Sequence, residues 1–385
     1  MRGLMQASSL AERLAAELAQ RAAAGTRRVL PHPPAGLVDF SSNDYLGLSR
    51  HPAVRAAQQE AGAAGSTGSR LLTGNSAAAE ALEARLASLH RAGAALLFNS
   101  GYAANLGFFA TVPRRGDTIL YDSASHASVK EGIRASHATA WSFRHHDLAD
   151  LARKADNATG ATFVAVEALY SMDGDQAPLA ALAALCQARG LHLVVDEAHS
   201  NGLYGPQGEG LTVALGLENA VFARIVTFGK ALGSQGAAVL GPAVLRDYLV
   251  NFSRAFIYTT ALPPLAIAGL TAAYALLPTL HAERAALLAN STYLKATLNA
   301  LPGLRVPADS HVVHPVFLTG PAAVTGPAAV RRLAAALQAA GFDGRAIVAP
   351  TVPAGTERLR LIVHAFNTKA EIDGLAAALM GALGQ

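Results

Sequence analysis

Several residue types are scarce in this chain, and each scarcity removes a class of protein. Among 385 residues there is one cysteine, Cys186, so neither an intramolecular disulfide nor a cysteine-cluster metal site is available. Charged residues make up only 15% and form no run of like charge, which argues against a nucleic-acid-binding tail. No uninterrupted apolar stretch reaches the length of a membrane span. We expect a cytoplasmic protein that binds neither nucleic acid nor membrane.

The first 45 residues predict a helix followed by an arm. Leu10, Leu14 and Leu18 recur at helical spacing, with Glu12 and Glu17 among them. These acids, and the lack of an apolar central segment, argue against a signal peptide.

The rest of the chain is rich in apolar residues arranged for a buried sheet. The hydrophobic fraction of 51% indicates a well-formed core. Short continuous apolar runs alternate with helical patterns, which is typical of a mostly parallel sheet covered on both faces. We therefore predict an α/β protein with a large domain at 46–280 and a smaller C-terminal α+β domain at 281–385. The predicted strands contain AALLF, DTILYD, ATFVAVE, LHLVVD, RIVTF and GAAVLG.

Polar residues follow five of these predicted strands. In a parallel α/β sheet, ligands bind beyond the carboxyl ends of the strands, so these side chains are expected to meet. In chain order they are Asn99-Ser100-Gly101-Tyr102, Ser125-His126, Ser171, Asp196 with His199, and Lys230.

Lys230 lies in an apolar run of small residues, RIVTFGKALGSQGAAVLG. A lysine at a strand end ordinarily keeps its ammonium group in water. The alternative is an amine held in a pocket because it forms a Schiff base. Other ligand classes fit less well. VVDEAH has no G-x-x-x-x-G-K-[ST] upstream, which argues against a P-loop nucleotide site, and no G-x-G-x-x-G follows an early strand, which argues against a dinucleotide site. The further carboxylates that a metal would need beside Asp196 are missing. We expect no metal site.

Nine segments resemble the α-oxoamine synthases, fold-type-I enzymes that use pyridoxal phosphate (PLP) to join an amino acid to an acyl-CoA. They occur in the family's order and span nearly the whole chain. The segments are FSSNDYLGLS, GSTGSRLLTGN, FNSGYAANLG, SHASVKEGI, YSMDGDQAPL, VVDEAHSNGLYGPQGEG, TFGKALGSQGAAVLG, FIYTTALPP and APTVPAGTERLRL.

The resemblance implies catalytic roles for three residues. Lys230 would form the Schiff base and then remove the Cα proton. Asp196 would keep the pyridine nitrogen protonated, so that the ring takes up the electrons of the carbanion. His126 would lie on the ring face and could donate a proton or hydrogen bond toward the acyl carbonyl.

The resemblance also implies binding roles. His199 and Ser171 would bond the ring's phenolic oxygen, and Gly101, Tyr102 and Thr227 would lie on the phosphate side. Thr260 would reach the cofactor of a partner subunit, because family members are homodimers with shared sites. The amino-acid carboxylate would meet Asn43 and Arg360, and the acyl side would meet Thr351 and one of Arg27 and Arg28.

Within the family, GSTGSRLLTGN and SMDGDQAPL are most similar to the branch of biotin biosynthesis that condenses L-alanine with a pimeloyl thioester and releases CO2 and CoA. That branch commonly has arginine where this chain has Val348, which weakens the assignment of a dicarboxylic acyl chain. The alternatives are another member of the family, such as a glycine C-acetyltransferase, a fold-type-I aminotransferase, or a non-catalytic protein on the same fold.

Overall fold

The computed structural model describes residues 2–30, 34–320 and 326–384. Its helices are α1 (Arg2–Ala23), α2 (Pro52–Gln59), α3 (Ala77–Leu89), α4 (Gly101–Phe109), α5 (Ala127–Ala135), α6 (Leu148–Ala155), α7 (Leu179–Arg189), α8 (Leu211–Ala214), α9 (Ala243–Phe252), α10 (Arg254–Ile257), α11 (Pro264–Leu276), α12 (His281–Asn299), α13 (Pro327–Ala339) and α14 (Lys369–Leu383).

The strands are β1 (Val38–Asp39), β2 (Ala94–Phe98), β3 (Thr118–Asp122), β4 (Thr139–Phe143), β5 (Thr162–Glu167), β6 (His192–Asp196), β7 (Ala223–Thr227), β8 (Ala237–Gly241), β9 (Leu304–Arg305), β10 (Val313–Leu318), β11 (Phe342–Asp343), β12 (Arg345–Ile347) and β13 (Arg358–Ile362).

Seven strands form the central sheet in the order β2-β8-β7-β6-β5-β3-β4. All neighbours run parallel except the two pairs that involve β8. Successive side chains of β5 enter different cores: Val164 and Val166 join one apolar cluster, and Phe163 and Ala165 the other. This period of two, with both faces apolar, is what a sheet covered by helices on each side requires.

The topology brings five strand ends to one edge of the sheet. Strands β3, β5, β6 and β7 are parallel, and β2 points the same way because it is antiparallel to β8, which is itself antiparallel to β7. The segments after their carboxyl ends therefore converge, as expected for an open α/β sheet with a ligand site.

A second, four-stranded sheet in the order β12-β13-β10-β9 is antiparallel and packs against α13, which in turn contacts α14. Strand β1, from the predicted arm, pairs in parallel with β11 of the C-terminal region, Val38 opposite Phe342. The arm is thus connected to the C-terminal part of the chain. The domain limits at 45 and 280 remain a prediction.

The region 262–301, whose sequence predicts a long helical stretch, forms two helices. α11 starts with Pro264 at its first turn and ends before a short 3₁₀ turn containing Pro278, after which α12 starts at His281. In the described parts of the chain no single helix is long and apolar enough to cross a membrane. The two segments Pro264–Thr279 and His281–Asn299 reach that length and composition only as a pair bent by 77°.

Candidate active site

One cavity of about 540 Å³ lies at the converging strand ends. Residues predicted from separate sequence segments line it together, which is the juxtaposition that the strand-end argument anticipated. The predicted residues that line the cavity are Asn43, Gly101, Tyr102, His126, Ser171, Asp196, His199, Thr227, Lys230 and Arg360.

Lys230 follows β7 in a tight turn, where its carbonyl accepts a hydrogen bond from the Gly233 N–H at 2.9 Å. Desolvation lowers the pKa of Lys230 to about 8, although the carboxylates of Asp196 and Glu167 raise it and Arg360 lowers it further. A substantial fraction of this amine is therefore neutral near pH 8, which is the state a nucleophile or general base needs.

Asp196 ends β6 with its carboxylate buried and held by two donors. The Ala198 N–H donates to Oδ1 at 2.9 Å, and Nδ2 of Asn105 donates to Oδ2 at 2.7 Å. Both groups can only donate, so the carboxylate is fixed as an acceptor. An ionised carboxylate in this position stabilises a cation in the cavity.

The amino end of α4 forms an anion-binding corner. Ser100 caps the helix by accepting the Ala103 N–H at 3.1 Å. The N–H groups of Gly101 and Tyr102 have no hydrogen-bond acceptor among the described residues and lie at the positive end of the helix dipole. A Cβ on residue 101 would lie 2.5 Å from Cγ2 of Thr227, so only glycine allows this approach.

His126 caps α5, and its ring lines the cavity. Its backbone N–H donates to Oε1 of Glu167 at 2.6 Å, and its Nδ1 lies 2.8 Å from Oγ of Ser128. Partial burial lowers the pKa of His126. The Asp196 charge raises it, whereas the charges of Lys230 and Lys130 lower it further. We therefore take the ring to be neutral at pH 7.

Arg360 of β13 enters the cavity from the second sheet. Its Nε donates to the Ser171 carbonyl at 2.8 Å and its Nη2 to Oδ1 of Asn43 at 3.2 Å. Two residues earlier, Arg358 binds the Met172 carbonyl at 3.1 Å and pairs with the Asp173 carboxylate. The two arginines thus fix the loop after β5 and leave one planar cation beside Asn43.

His199 is buried at the floor of the cavity. Its Nδ1 lies 2.6 Å from the phenol oxygen of Tyr45. Desolvation keeps the pKa of His199 well below its usual value, and the nearby cations Lys230 and Arg360 lower it further. The imidazole is therefore neutral.

The three remaining predicted residues lie outside this cavity. Thr260 lines a neighbouring cavity of about 170 Å³, which shares Asn99 with the main one. Thr351 lies near the arm, where Nη2 of Arg28 reaches its Oγ1 at 3.4 Å. The Arg27 N–H bonds the Arg21 carbonyl at the end of α1. Of the two arginines left open by the sequence, Arg28 is the one beside Thr351.

Sequence reasoning missed four residues that shape the site: Tyr45, Asn105, Ser128 and Glu167. Glu167 ends β5 directly opposite Asp196. Burial and the Asp196 charge raise the pKa of Glu167 to about 8, although the Lys230 charge lowers it. The strand-end rule that selected Asp196 also applies to Glu167. Asn105 and Ser128 lie inside helices, and Tyr45 in a loop, so no such rule singles them out.

An ion-paired network lies beside the cavity, around His145. Its Nδ1 lies 2.8 Å from Asp122 and its Nε2 lies 2.9 Å from Asp175. Burial opposes the charge on this ring, but the two carboxylates raise the pKa of His145 to about 10. Asp122, His145 and His146 bring possible metal-ligand atoms within 4.8 Å of one another. Because His145 already bonds a carboxylate on each side, we assign the cluster to ion pairing.

Comparison with known proteins identifies the family. The model of the aminotransferase class I and II family matches residues 35–379. An 8-amino-7-oxononanoate synthase from Emericella nidulans is 41% identical over 377 residues, covering 91% of this chain and 90% of its own length. The chain belongs to the aminotransferase class I and II family, in its α-oxoamine synthase branch.

Solved α-oxoamine synthases share the whole architecture. A serine palmitoyltransferase from S. paucimobilis superposes with a TM-score of 0.88 at 29% identity, covering 97% of each chain. The 8-amino-7-oxononanoate synthase from Francisella tularensis gives a TM-score of 0.76 at 26% identity, covering 91% of this chain and 99% of its own. The predicted fold-type-I α/β class is confirmed.

The cavity of this α-oxoamine synthase has the donors and acceptors that a phosphorylated pyridine cofactor needs. The anion-binding corner at Gly101 accommodates a phosphate, since the glycine allows close approach and the helix supplies free N–H groups. The buried Asp196 carboxylate suits a protonated ring nitrogen, and the lowered pKa of Lys230 suits an amine that attacks an aldehyde. The residues present therefore fit PLP.

Proposed function

We propose that this chain is an 8-amino-7-oxononanoate synthase, a PLP-dependent C-acyltransferase of biotin biosynthesis. It condenses L-alanine with a pimeloyl thioester and releases CO2 and CoA. The observation that carries the proposal is the convergence of Lys230, Asp196 and Arg360 in one cavity. Relatives that bear this name and are 40% identical or more over most of their length support it.

PLP is the cofactor, and Lys230 and Asp196 would hold its reactive groups. When bound, it supplies an aldehyde to an amine and a protonated ring that takes up the electrons of a carbanion. The phosphate would lie at Gly101 and Tyr102 with Thr227, while His199 and Ser171 would face the ring's phenolic oxygen.

Lys230 and His126 handle protons in this proposal. The Lys230 amine, with its pKa near 8, removes the Cα proton of the amino acid. The neutral His126 ring donates a hydrogen bond toward the carbonyl of the acyl group as negative charge develops on its oxygen. Asp196, fixed as an acceptor by Asn105 and Ala198, keeps a cationic ring nitrogen in place.

The amino-acid carboxylate would bind between Arg360 and Asn43. Both are half-buried, and Arg360 keeps its guanidinium directed by the Ser171 carbonyl. A planar guanidinium with free N–H groups binds a carboxylate with two parallel hydrogen bonds. Recognition of the substrate carboxylate would then combine Arg360 of the second sheet with Asn43, which follows β1.

A different acyl donor is the second candidate, and Val348 favours it. An arginine in that position would pair with the far carboxylate of a pimeloyl chain, which valine cannot do. The cation near Thr351 is Arg28 of the arm, which is exposed. The high TM-score to serine palmitoyltransferase makes serine with a long monocarboxylic acyl-CoA the alternative substrate pair.

We further propose a homodimer with active sites at the interface. Tyr258 is 76% exposed, two residues from Thr260, and with Phe252 lines an apolar groove that also borders α4. A second copy of the chain would cover these rings and bring Thr260 toward the partner's cofactor. The cavity that contains Thr260 adjoins the main cavity, and Asn99 lines both.

A substrate panel tests the activity directly. Alanine, glycine and serine are each combined with pimeloyl-CoA, octanoyl-CoA, palmitoyl-CoA and acetyl-CoA, and free thiol and CO2 are measured. Release of both products with alanine and pimeloyl-CoA supports the proposal, whereas keto-acid formation without thiol release would assign an aminotransferase. Turnover with serine and palmitoyl-CoA alone would favour the second candidate.

A further inference from the structure

A continuous chain of hydrogen bonds joins Asp196 to His126 through two residues that have no assigned role. Nδ2 of Asn105 donates to Oδ2 of Asp196 at 2.7 Å and to Oγ of Ser128 at 3.0 Å. Oγ of Ser128 lies 2.8 Å from Nδ1 of His126. Asn105, Ser128 and Asp196 are buried at the wall of the cavity, which limits competition from water for these contacts.

The direction of donation along this chain is fixed by Asp196. The carboxylate only accepts, so Asn105 must present its NH₂ group, because the reversed amide would place two oxygens against each other. The second N–H of the same group donates to Ser128, whose single O–H is then free to point at His126. Each donor follows from the one before it.

The backbone gives an independent indication of the same direction. The Ser128 N–H, which can only donate, lies 3.2 Å from Nδ1 of His126. Two donors therefore meet Nδ1, and a ring nitrogen that accepts cannot carry a proton. The proton of the neutral ring must lie on Nε2, which makes no hydrogen bond to the described residues.

We propose that Asn105 and Ser128 are positioning residues that fix His126 as the Nε2–H tautomer, a hydrogen-bond donor in the cavity. The proposal rests on the proposed function for its catalytic consequence: the donor would meet the acyl carbonyl oxygen. The charge that Asp196 provides for the cofactor then has a second effect, because through Asn105 it orients the Ser128 hydroxyl toward His126. The wrong tautomer would place a lone pair against that oxygen.

Selective ¹⁵N-histidine labelling of the purified protein with its bound PLP tests the tautomer. His126→Asn identifies the resonances. We expect an unprotonated Nδ1 and a protonated Nε2 in the wild type, and a measurable Nδ1–H population in Ser128→Ala and Asn105→Ala. Ser128→Thr, which keeps the hydroxyl, should retain the wild-type pattern. A protonated Nδ1 in the wild type would overturn the proposal.

A double-mutant cycle tests the catalytic consequence. Loss of one hydrogen bond in Ser128→Ala should lower kcat for CoA release by about tenfold with little change in KM for alanine, and Ser128→Thr should restore most of it. If Ser128 acts through His126, Ser128→Ala in the His126→Asn background has no further effect. If the two substitutions lower kcat by factors that simply multiply in the double variant, Ser128 does not act through His126 and the proposal is refuted. Should no thioester be consumed although the tautomer pattern holds, the proposed function fails and the positioning role stands.

Discussion

The phenol oxygen of Tyr45 lies 2.6 Å from Nδ1 of His199, linking the end of the arm to the floor of the cavity. Both side chains are buried, and burial raises the pKa of the phenol far above its usual value, so Tyr45 keeps its proton. The phenol can donate its one proton to Nδ1 at 2.6 Å rather than to Oδ1 of Asn43 at 3.3 Å, and the Nε2–H of His199 would then be left for the cofactor. If His199 binds the cofactor as proposed, the loop that contains Tyr45 contributes to cofactor binding.

Removal of the Tyr45 hydroxyl should weaken cofactor retention. In Tyr45→Phe, Nδ1 of His199 loses its partner inside a dry site, and we expect the Kd for PLP to rise by about three- to tenfold. Equilibrium dialysis against PLP measures this change. Tyr293→Phe is the matched control, since that phenol bonds Asp373 at the surface. An unchanged Kd in Tyr45→Phe would show that the contact is only structural.

Lys230 should be the single site of covalent attachment. Borohydride reduction of the holoprotein followed by peptide mapping is expected to label the peptide that contains Lys230, and Lys230→Ala should lose the label and the visible absorption band. The kcat of Lys230→Ala should fall by about 10²–10⁴-fold, the usual contribution of a general base. Lys130→Ala is the control, because that amine bonds the Ser123 carbonyl outside the cavity. A label on Lys130 or Lys154 would overturn the assignment.

The rate of PLP attachment to cofactor-free protein should depend on pH with a midpoint near 8. Only the neutral amine reacts, so with a pKa of about 8 the rate should rise about tenfold from pH 7 to pH 9 and then level off. Stopped-flow absorbance follows the reaction. Glu167→Gln removes a carboxylate that raises this pKa, so its midpoint should lie lower. A rise that continues to pH 10 would indicate an ordinary, solvated lysine.

Discrimination between acyl donors should be weak. A carboxylate buried without a partner is costly, and the cation available near Thr351 is the exposed Arg28. We expect kcat/KM for pimeloyl-CoA to exceed that for octanoyl-CoA by less than about a hundredfold, and Arg28→Ala to reduce the ratio more than Arg27→Ala. A larger preference that either substitution abolishes would reveal a dedicated carboxylate pocket.

Association should be required for cofactor retention. We expect the holoprotein to sediment as a dimer, and Tyr258→Asp, in the exposed apolar groove, to shift it toward monomer with loss of PLP. Met380→Asp introduces the same charge at an exposed position of α14 and should leave the dimer intact. A monomer that keeps cofactor and activity at every concentration argues against shared sites.

Much of the site could be predicted because it lies at strand ends. Asp196 and Lys230 each follow a run of apolar residues, where a charge is conspicuous in the sequence. Asn105 could not be found this way: it lies in the middle of α4, and its partner Asp196 is 91 residues away. A polar residue within a helix ordinarily faces solvent, and only the packing of α4 against α5 places this one beside Ser128.

The fold was predictable in class and less so in detail. Alternating apolar runs and helices indicate a parallel sheet, but an apolar run has no direction, so the antiparallel placement of β8 comes only from the structure. The region 262–301 has one continuous helical pattern in the sequence. The break between α11 and α12 at Pro278 follows from the missing proline N–H, a local signal that the periodicity conceals.

Arg360 has a consequence for the design of chimeric enzymes. It enters the cavity from β13, whereas Lys230 and Asp196 come from the central sheet. In the proposed roles, the guanidinium that would bind the substrate carboxylate and the residues that would activate the bond therefore lie in separable stretches of the chain, although Asn43 belongs to the N-terminal part. A crossover after α12 that takes the remaining residues from a relative would exchange the segment with Arg358 and Arg360 and the loop around Thr351, while leaving Lys230 and Asp196 untouched. We expect libraries recombined at that point to sample new substrate pairs around an unchanged Lys230.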